Sequence, residues 1–198
     1  EKESKIYVAG HRGLVGSAIV RNLNAKGYNN LILQTRQELD LTRQADVERF
    51  FQKEKPDYVF LAAAHVGGIQ ANNVYRADFI RNNLFIQSNV IDAAYQSQVK
   101  RLMFLGSSCI YPKDTSQPIL ESALMNGPLE ETNEGYALAK IAGLKLCKFI
   151  NEEHKKKFIS VMPSNVFGVN DNFDPDNSHV LGALLRKIYD AKLDGTNK

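Results

Sequence analysis

Short apolar runs alternate along this chain with longer segments in which apolar residues recur at helical spacing. The apolar runs predict strands at 5–9, 31–34, 58–64, 101–105 and 158–162. The periodic segments predict helices at 14–26, 43–54, 76–98, 135–154 and 180–192. Strands that alternate with helices predict an α/β fold, a doubly wound parallel sheet with helices on both faces. The segment 110–134 carries three prolines and is predicted to be an irregular loop.

Composition excludes several classes of protein. The 198 residues are 43% apolar and 24% charged, which is ordinary for a globular domain. A net charge of +3 with scattered basic residues gives little reason to expect nucleic-acid binding, because the one dense basic run, 155–157, is typical of a helix end. Two cysteines make no disulfide framework. With neither a signal peptide nor a bilayer-long apolar run in these residues, we expect a cytoplasmic protein without a membrane partner.

Three glycines lie at the junction between the first strand and the first helix. The segment reads Gly10-His11-Arg12-Gly13-Leu14-Val15-Gly16. Glycines there permit a tight turn, a close approach of a pyrophosphate to the backbone, and tight packing of the helix on the strand. The helix N-terminus then attracts phosphate groups. This context predicts a Rossmann-type dinucleotide site rather than an ordinary glycine-rich turn.

The end of the second strand predicts which dinucleotide binds. It reads Gln34-Thr35-Arg36, with no carboxylate to bind a ribose 2′-hydroxyl, and Arg12 projects from the glycine loop. Two guanidinium groups favour NADP over NAD, although each arginine alone is equally a solvated surface residue. Asp40 and Leu41 meet the adenine edge, or Asp40 caps the following helix.

A candidate reaction centre follows the fourth strand. Ser107, Ser108 and Cys109 lie at the carboxyl edge of the sheet, where parallel sheets bind ligands. Tyr136 and Lys140 are four residues apart, on one face of the next helix. We expect the Lys140 ammonium to favour the tyrosinate and to lower the pKa of Tyr136. A serine that holds a carbonyl oxygen beside this phenol completes a device for reducing that carbonyl. Beside the glycine loop, a chance Tyr–Lys pair is disfavoured.

These residues resemble the extended short-chain dehydrogenase/reductase family, over the whole chain. Within it, the run Ser107-Ser108-Cys109-Ile110-Tyr111-Pro112-Lys113 resembles the GDP-L-fucose synthases rather than the sugar dehydratases or 4-epimerases. Three further stretches agree: His65-Val66-Gly67-Gly68-Ile69, Pro163-Ser164-Asn165-Val166-Phe167-Gly168, and Asp171-Asn172-Phe173 with Asn177-Ser178-His179. Val169, Asn170 and Gly182 depart from the family pattern, beside the catalytic positions and not on them.

The resemblance implies 3,5-epimerisation and 4-reduction of GDP-4-keto-6-deoxy-D-mannose with NADPH. It implies Cys109 as the base and His179 as the acid of epimerisation. Tyr136, with Ser107, stabilises the enolate oxygen and protonates the alkoxide, and Lys140 reaches the nicotinamide ribose. Without the resemblance, Cys109 and His179 are ordinary buried and surface residues. His65 either packs beside the cofactor or takes part in chemistry.

The resemblance also gives a full set of site residues. The predicted catalytic residues are Ser107, Cys109, Tyr136, Lys140 and His179. The predicted cofactor-binding residues are Gly10, His11, Arg12, Gly13, Leu14, Val15, Gly16, Arg36, Asp40, Leu41, Leu105, Gly106, Lys140, Pro163, Asn165, Val166 and His179. The predicted substrate-binding residues are Ser107, Ser108, Asn165 and Lys187, and no metal is expected. Asn165 closes a backbone turn or orients the sugar, and Lys187 is a solvated lysine or meets the substrate diphosphate.

The resemblance predicts domains and partners as well. Residues 1–168 are expected to form the NADP-binding Rossmann domain and 169–198 the start of a truncated substrate domain, because the family continues for roughly another hundred residues. We therefore expect NADP binding with little activity. Ala77, Ile80, Leu84, Ile91 and Ala94 form a partly apolar stripe that predicts a homodimer. The alternatives are another nucleotide-sugar epimerase or reductase, or a non-catalytic NADP-binding regulator.

Overall fold

The computed structural model describes residues 1–174, 178 and 180–195. Within these residues, five strands form one parallel sheet in the order β2-β1-β3-β4-β5. The strands are β1 (Ile6–Ala9), β2 (Leu31–Ile32), β3 (Tyr58–Leu61), β4 (Arg101–Leu105) and β5 (Ile159–Val161). The prediction of a doubly wound parallel sheet is confirmed.

The α-helices of the described residues connect these strands. They are α1 (Leu14–Ala25), α2 (Gln44–Glu54), α3 (Ile69–Val74), α4 (Arg76–Gln96), α5 (Glu134–His154) and α6 (Val180–Leu193). Right-handed connections between parallel strands put α1 on one face of the sheet and α2, α4 and α5 on the other. In agreement, α4 packs against both α2 and α5. The predicted irregular loop contains 3₁₀ turns at Glu121–Ala123 and Glu131–Asn133, and a further turn, Ser108–Ile110, precedes it.

The core lies between the sheet and the α2–α4 layer. The four residues of β1 are all buried, as expected for a central strand covered on both faces. Tyr7 of β1 packs against Phe50 and Phe51 of α2, with ring centroids 4.7 and 5.9 Å away. Beyond them Val90 and Ile91 of α4 are fully buried. This packing fixes the sheet edge at which the candidate site lies.

The stripe predicted for dimerisation on α4 is partly wrong. Ile91 and Ala94 are 0% exposed and belong to the protein's own core. Ala77 is exposed, and Ile80 and Leu84 are half-buried. Helical spacing alone did not separate the two faces of α4, because apolar residues lie on both of them.

The third strand ends earlier than predicted. β3 stops at Leu61, and Ala62 makes one further hydrogen bond, from its N–H to the Ala9 carbonyl at 3.0 Å. The chain then leaves the sheet beside β1, at the point where the strand order reverses. Such a switch point opens a crevice at the carboxyl ends of the strands. Among the described residues, no helix combines the length and the apolar character needed to cross a membrane.

Candidate active site

The glycine loop between β1 and α1 forms a turn that leaves no room for a side chain at Gly10 or Gly16. Gly10 has a φ of +80°, and a Cβ on it would lie 2.7 Å from the Ala63 nitrogen. A Cβ on Gly16 would lie 2.1 Å from the Gly10 carbonyl oxygen. The Gly13 N–H closes the turn by donating to that oxygen at 3.0 Å. The loop therefore brings the N-terminus of α1 against the end of β1, the geometry that binds a pyrophosphate.

The part of the site where the glycine loop and the end of β2 are predicted to hold the nucleotide is called the nucleotide end below. A carboxylate that was not predicted lies there, beside the end of β2. Glu38 folds back so that its Oε2 accepts hydrogen bonds from the N–H and the hydroxyl of Thr35, both at 2.8 Å. These bonds lower the pKa of Glu38, and the nearby charges of Arg12 and His11 lower it further. The prediction of a tip without a carboxylate is wrong, because the turn after β2 returns a residue that is four positions beyond Gln34.

Asp40 caps the turn that leads into α2. Its Oδ1 accepts hydrogen bonds from the Thr42 N–H at 3.0 Å and the Thr42 hydroxyl at 2.8 Å. These bonds lower the pKa of Asp40, with smaller contributions from Arg36 and Arg43. The predicted cap of α2 by Asp40 is wrong, because the N-cap residue is Arg43 and no side chain caps the helix. The contact of Asp40 with the adenine stays a prediction. Leu41 is held in place by Asn89, whose amide donates to the Leu41 carbonyl at 2.9 Å.

The loop after β3 is fixed by a buried asparagine of α4. Asn83 is 2% exposed, and its side chain bonds both backbone groups of His65: Oδ1 accepts from the N–H and Nδ2 donates to the carbonyl, each at 2.9 Å. The His65 ring packs on Phe79, with centroids 4.5 Å apart. The ring is thus packed within the protein, and the position of His65 beside the cofactor stays a prediction.

The second part of the site, called the reaction end below, contains Ser107, Cys109, Tyr136 and Lys140. It begins where β4 ends. The Gly106 N–H donates to the Val161 carbonyl at 2.8 Å, which keeps the chain in the sheet up to Ser107. A 3₁₀ turn at Ser108–Ile110 then reverses its direction, and Ser107 caps this turn by accepting the Cys109 N–H at 3.3 Å. Ile110 is 1% exposed and anchors the turn in the core. The serine hydroxyl and the thiol therefore lie side by side at the carboxyl edge of the sheet.

The side chain of Lys140 is buried beneath the ring of Tyr136. It is 3% exposed, and its Nζ donates to the Leu105 carbonyl at 2.7 Å. The same nitrogen lies 4.9 Å from the centroid of the Phe104 ring and 5.5 Å from that of Tyr136. Both rings stabilise the ammonium through cation–π interactions. The helix α5 thus brings Tyr136 and Lys140 against the end of β4.

The prediction of a lowered pKa for Tyr136 is wrong. Burial raises the pKa of Tyr136, and the Cys109 thiol beside it adds to the increase. Burial also lowers the pKa of Lys140 to about 8, although Cys109 partly opposes this effect. The prediction counted the ammonium but omitted desolvation, which penalises both charged forms here.

Cys109 is half-buried, and its environment acts on the thiol in two directions. Burial raises its pKa, while the Ser107 hydroxyl and the Lys140 ammonium lower it. The second cysteine, Cys147, is 1% exposed in the core, and burial raises its pKa to about 12. Both cysteines are free thiols. The Ser160 hydroxyl lowers the pKa of Cys147 slightly, whereas Cys109 has both the Ser107 hydroxyl and the Lys140 ammonium beside it, so the two thiols are chemically distinct.

The remaining predicted residues lie around the loop after β5. Pro163 is half-buried there, whereas Asn165 and Val166 are exposed. A Cβ on Gly168 would lie 3.5 Å from Leu14, so this loop reaches the start of α1. Lys187 is exposed on α6. His179 lies outside the described residues.

A cleft of about 400 Å³ lies between the loop after β5 and α6. Phe167, Val169, Leu181 and Leu185 give it an apolar lining, and it includes none of the described catalytic candidates. Elsewhere within residues 1–174, 178 and 180–195, no three His, Cys, Asp or Glu side chains are grouped as metal ligands.

Sequence reasoning missed three residues that build the site. Asn83 fixes the His65 loop, Phe104 lies under Lys140, and Gln87 donates to the Ala139 carbonyl of α5. One signal was present: Asn83 and Gln87 are one helical turn apart, in line with the buried Phe79 and Ile91. A polar pair on an apolar helix face indicates buried partners.

Comparisons with known proteins agree with this geometry. The sequence model of the NAD dependent epimerase/dehydratase family matches residues 6–197. GDP-L-fucose synthase 1 of Arabidopsis thaliana is 62% identical over 198 residues, which are 100% of this chain and 61% of that protein. The chain thus spans about 60% of the length of the curated relatives it matches.

Two solved structures show the same fold. The GDP-D-glycero-L-gluco-heptose synthase of Campylobacter jejuni, solved in the presence of NADPH, is 47% identical with a TM-score of 0.93. This chain covers 56% of it, with 98% of its own residues. A GDP-L-fucose synthetase from Naegleria fowleri, bound to NADP, is 31% identical with a TM-score of 0.91. The match covers 100% of this chain and 65% of that one.

Proposed function

The chain belongs to the NAD dependent epimerase/dehydratase family, and we propose that it binds NADP and acts on a GDP-4-keto-6-deoxy sugar. The proposed reaction is 3,5-epimerisation and 4-reduction of GDP-4-keto-6-deoxy-D-mannose to GDP-L-fucose. One observation carries this proposal. The buried Lys140 ammonium, the Tyr136 phenol, the Ser107 hydroxyl and the Cys109 thiol surround one point at the end of β4.

The glycine loop fits a dinucleotide. Because neither Gly10 nor Gly16 has room for a Cβ, the turn packs tightly and brings the N-terminus of α1 against the end of β1, which is the arrangement that binds a diphosphate. The Nδ1 of His11 is buried and has no hydrogen-bond partner among the described residues, so a ligand is needed to satisfy it. Arg12 and Arg36 supply the positive charge for a ribose 2′-phosphate. NADP is therefore the proposed cofactor, and the NADP and NADPH of the two solved relatives support it.

We assign the reduction to three groups of the reaction end: Tyr136 as proton donor, with Lys140 and Ser107 supporting it. Bound NADPH supplies the hydride. The raised pKa of Tyr136 keeps its phenol protonated, so it can donate a hydrogen bond and then a proton to the oxygen on C4. Lys140 lies beneath the ring and stabilises the phenolate that remains. Ser107 holds the same oxygen from the side of β4.

The epimerisation uses the thiol. A 4-keto group acidifies the protons on C3 and C5, and the enolate formed places negative charge on the oxygen that Tyr136 and Ser107 hold. We assign Cys109 as the base by resemblance to the GDP-L-fucose synthases. Burial raises the pKa of this thiol, and the Ser107 hydroxyl and the Lys140 ammonium limit the increase. His179 is assigned as the acid by resemblance to the GDP-L-fucose synthases. Both half-reactions thus share one stabilised oxygen.

The wider assignments are also proposals. Residues 1–168 form the NADP-binding domain, and 169–198 begin a substrate domain in which Asn165 and Lys187, with Ser108, contact the GDP-sugar. Exposed apolar side chains on α4 and α5, including Phe85, Leu138 and Phe149, support a homodimer through this helix pair. Two free thiols agree with a reducing, cytoplasmic location.

The test is an assay of NADPH oxidation with GDP-4-keto-6-deoxy-D-mannose, in which the sugar product is identified by NMR. We expect GDP-L-fucose, at a low rate for this 198-residue chain. Cys109→Ser should reduce epimerisation by about 100-fold or more, within the range of general acid–base catalysis, and reduction of a pre-epimerised substrate much less. Intact protein that binds NADPH without turning over any sugar would favour a regulatory module instead.

A second candidate is the processing of a GDP-heptose. It is favoured by the 47% identity to the Campylobacter jejuni GDP-D-glycero-L-gluco-heptose synthase. The same assay with a GDP-4-keto-heptose separates the two, because turnover of the heptose alone would reject the fucose assignment. A Cys109→Ser effect on both sugars would show that the thiol serves the epimerisation whichever sugar binds.

A further inference from the structure

Gln87 is a buried polar residue whose bonding is incomplete. It lies on the inner face of α4 and is 3% exposed. Its Nε2 donates a hydrogen bond to the Ala139 carbonyl of α5. Its Oε1 is buried and finds no hydrogen-bond partner in the part of the chain that the structure describes. A buried acceptor without a donor destabilises a fold, so the presence of Gln87 points to a role other than stability.

The hydrogen bond of Gln87 reaches α5 where that helix comes closest to its neighbours. Ala139 directly precedes Lys140, and Gly143 lies one turn later on the same helix. A Cβ on Gly143 would come within 2.6 Å of the Phe104 ring and 2.9 Å of the Gln87 side chain. The same Phe104 ring lies beneath the Lys140 ammonium. Gln87, Phe104 and this turn of α5 therefore form one packed group around Lys140.

We propose that Gln87 is a positioning residue, which fixes the Ala139–Gly143 turn of α5 and thereby sets where Tyr136 and Lys140 lie over the end of β4. Apolar contacts allow a helix to slide or rotate, whereas a hydrogen bond to one carbonyl is directional and holds a single register. In the observed register the Nζ of Lys140 reaches the Leu105 carbonyl at 2.7 Å. The proposal rests on the proposed function solely for the use that the reaction makes of Lys140.

The test follows Lys140 itself and needs no cofactor. In protein labelled with ¹³C at the lysine ε-carbon, the Lys140 signal is assigned by its loss in Lys140→Met. Because the amine lies over two aromatic rings, its signal should be shifted upfield, and because it is buried it should titrate near 8. Gln87→Met keeps the length of the side chain and removes the donor. We expect this variant to lose most of the upfield shift and to titrate closer to 10.5, while its melting temperature does not fall.

The matched control is Asn89→Met, on the same helix. Asn89 also donates a side-chain amide to a backbone carbonyl, that of Leu41 at 2.9 Å, away from α5. Its replacement should leave the Lys140 signal unchanged. An identical Lys140 shift and titration in Gln87→Met and wild type would overturn the proposal, and so would an equal change in Asn89→Met. If Gln87→Met does not fold, Gln87→Asn, whose amide falls short of Ala139, decides between the same outcomes.

Failure of the proposed function leaves this comparison intact. NADPH binding by the wild type is measured in parallel through the fluorescence of the nicotinamide. A wild type that does not bind NADPH would reject the NADP assignment, yet the Lys140 signals of the variants would still confirm or overturn the role of Gln87.

Discussion

The two ends of the proposed cofactor site are built from different parts of the chain. At the nucleotide end, the backbone at Gly10 and Gly16 forms the surface, and the charged Arg12 and Arg36 are exposed to solvent. At the reaction end, side chains form the site, and Lys140 is buried among its partners. The packed backbone at Gly10 and Gly16 has no room for a Cβ, whereas water and salt screen the exposed charges around it. In the buried cluster, by contrast, each group shifts the pKa of its neighbours.

The largest effect is expected from Gly16→Ala, which tests the backbone surface. The new Cβ would lie 2.1 Å from the Gly10 carbonyl oxygen, in a turn that also abuts Ala63. We expect the free energy of unfolding to fall by about 3 kcal/mol, which is at the upper end of the usual cost of overpacking. In a domain of this size that loss lowers the melting temperature by roughly 6 to 12 °C. NADPH binding, followed by nicotinamide fluorescence, should fall with it.

Gly13→Ala is the matched control for crowding. Its Cβ would lie 3.5 Å from the same oxygen, an ordinary contact distance. The free energy of unfolding, measured by thermal denaturation, should therefore change by no more than about 0.5 kcal/mol. Equal melting temperatures for Gly16→Ala and Gly13→Ala would show that backbone crowding does not set this end of the site.

The second prediction concerns Lys140→Met at the reaction end. Because the pKa of Lys140 is about 8 in the folded protein and ordinarily 10.5, the folded state binds this proton more weakly than the unfolded chain. Below pH 8 both states are protonated and the full penalty is present, about 3 kcal/mol for this buried group. The penalty disappears as the pH rises from 8 to 10.5. The variant should therefore be more stable at pH 7, by up to about 3 kcal/mol, and this gain should shrink by pH 10.

Urea denaturation of wild type and variant at pH 7 and pH 10 measures the difference. Lys148→Met is the control, because Lys148 is exposed on the same helix, 3.6 Å from Glu152. Its effect should stay within about 0.5 kcal/mol at both pH values. A Lys140→Met variant that is less stable than wild type at pH 7 would contradict the burial penalty.

Arg36→Gln tests the charges of the nucleotide end. We expect NADP affinity to fall by roughly 10- to 100-fold, since a hydrogen bond from arginine to phosphate contributes about 1.5 to 3 kcal/mol. NAD affinity should remain unchanged, and the loss should diminish at high salt because the site is exposed. Isothermal titration with both dinucleotides measures this. Arg49→Gln, at an exposed arginine of α2 that pairs with Asp46, is the control. An equal loss for NAD would mean that Arg36 supports the turn and not the phosphate.

The fold was predictable from sequence wherever the deciding contacts are local. β4 was predicted at 101–105 and is observed at Arg101–Leu105, because its apolar run is bounded by polar residues on both sides. α3 was missed, since Ile69–Val74 has only six residues, half of them polar, and is too short to show helical periodicity. β3 was predicted too long because alanines tolerate a strand. Asn83, 18 residues beyond His65, is the residue that fixes the loop there.

The residues that form the reaction end could be predicted from the sequence, but their hydrogen-bond partners and pKa shifts could not. Motifs place Ser107, Tyr136 and Lys140 at one edge of the sheet. Lys140 donates its hydrogen bond to the carbonyl of Leu105, 35 residues earlier in the chain, and no local sequence pattern identifies this acceptor. The direction of the Tyr136 pKa shift depends on burial by distant elements. Sequence reasoning thus identified the groups, whereas their energies required the tertiary structure.

The smallest effect, and the finest test of the buried cluster, is expected from Ser107→Ala acting on Cys109. The Ser107 hydroxyl lowers the pKa of that thiol, so its removal should raise the pKa further. A lost hydrogen bond of about 1 kcal/mol predicts alkylation by iodoacetamide that is roughly 5-fold slower at pH 8. Alkylation measured against pH separates the causes: a pKa effect moves the midpoint upward and leaves the high-pH rate unchanged, whereas a change in access lowers the rate at every pH. Cys147 is the internal control, because it is 1% exposed with a pKa of about 12 and should stay unmodified in the folded chain. An unmoved midpoint would show that Ser107 caps the turn without lowering the pKa of the Cys109 thiol.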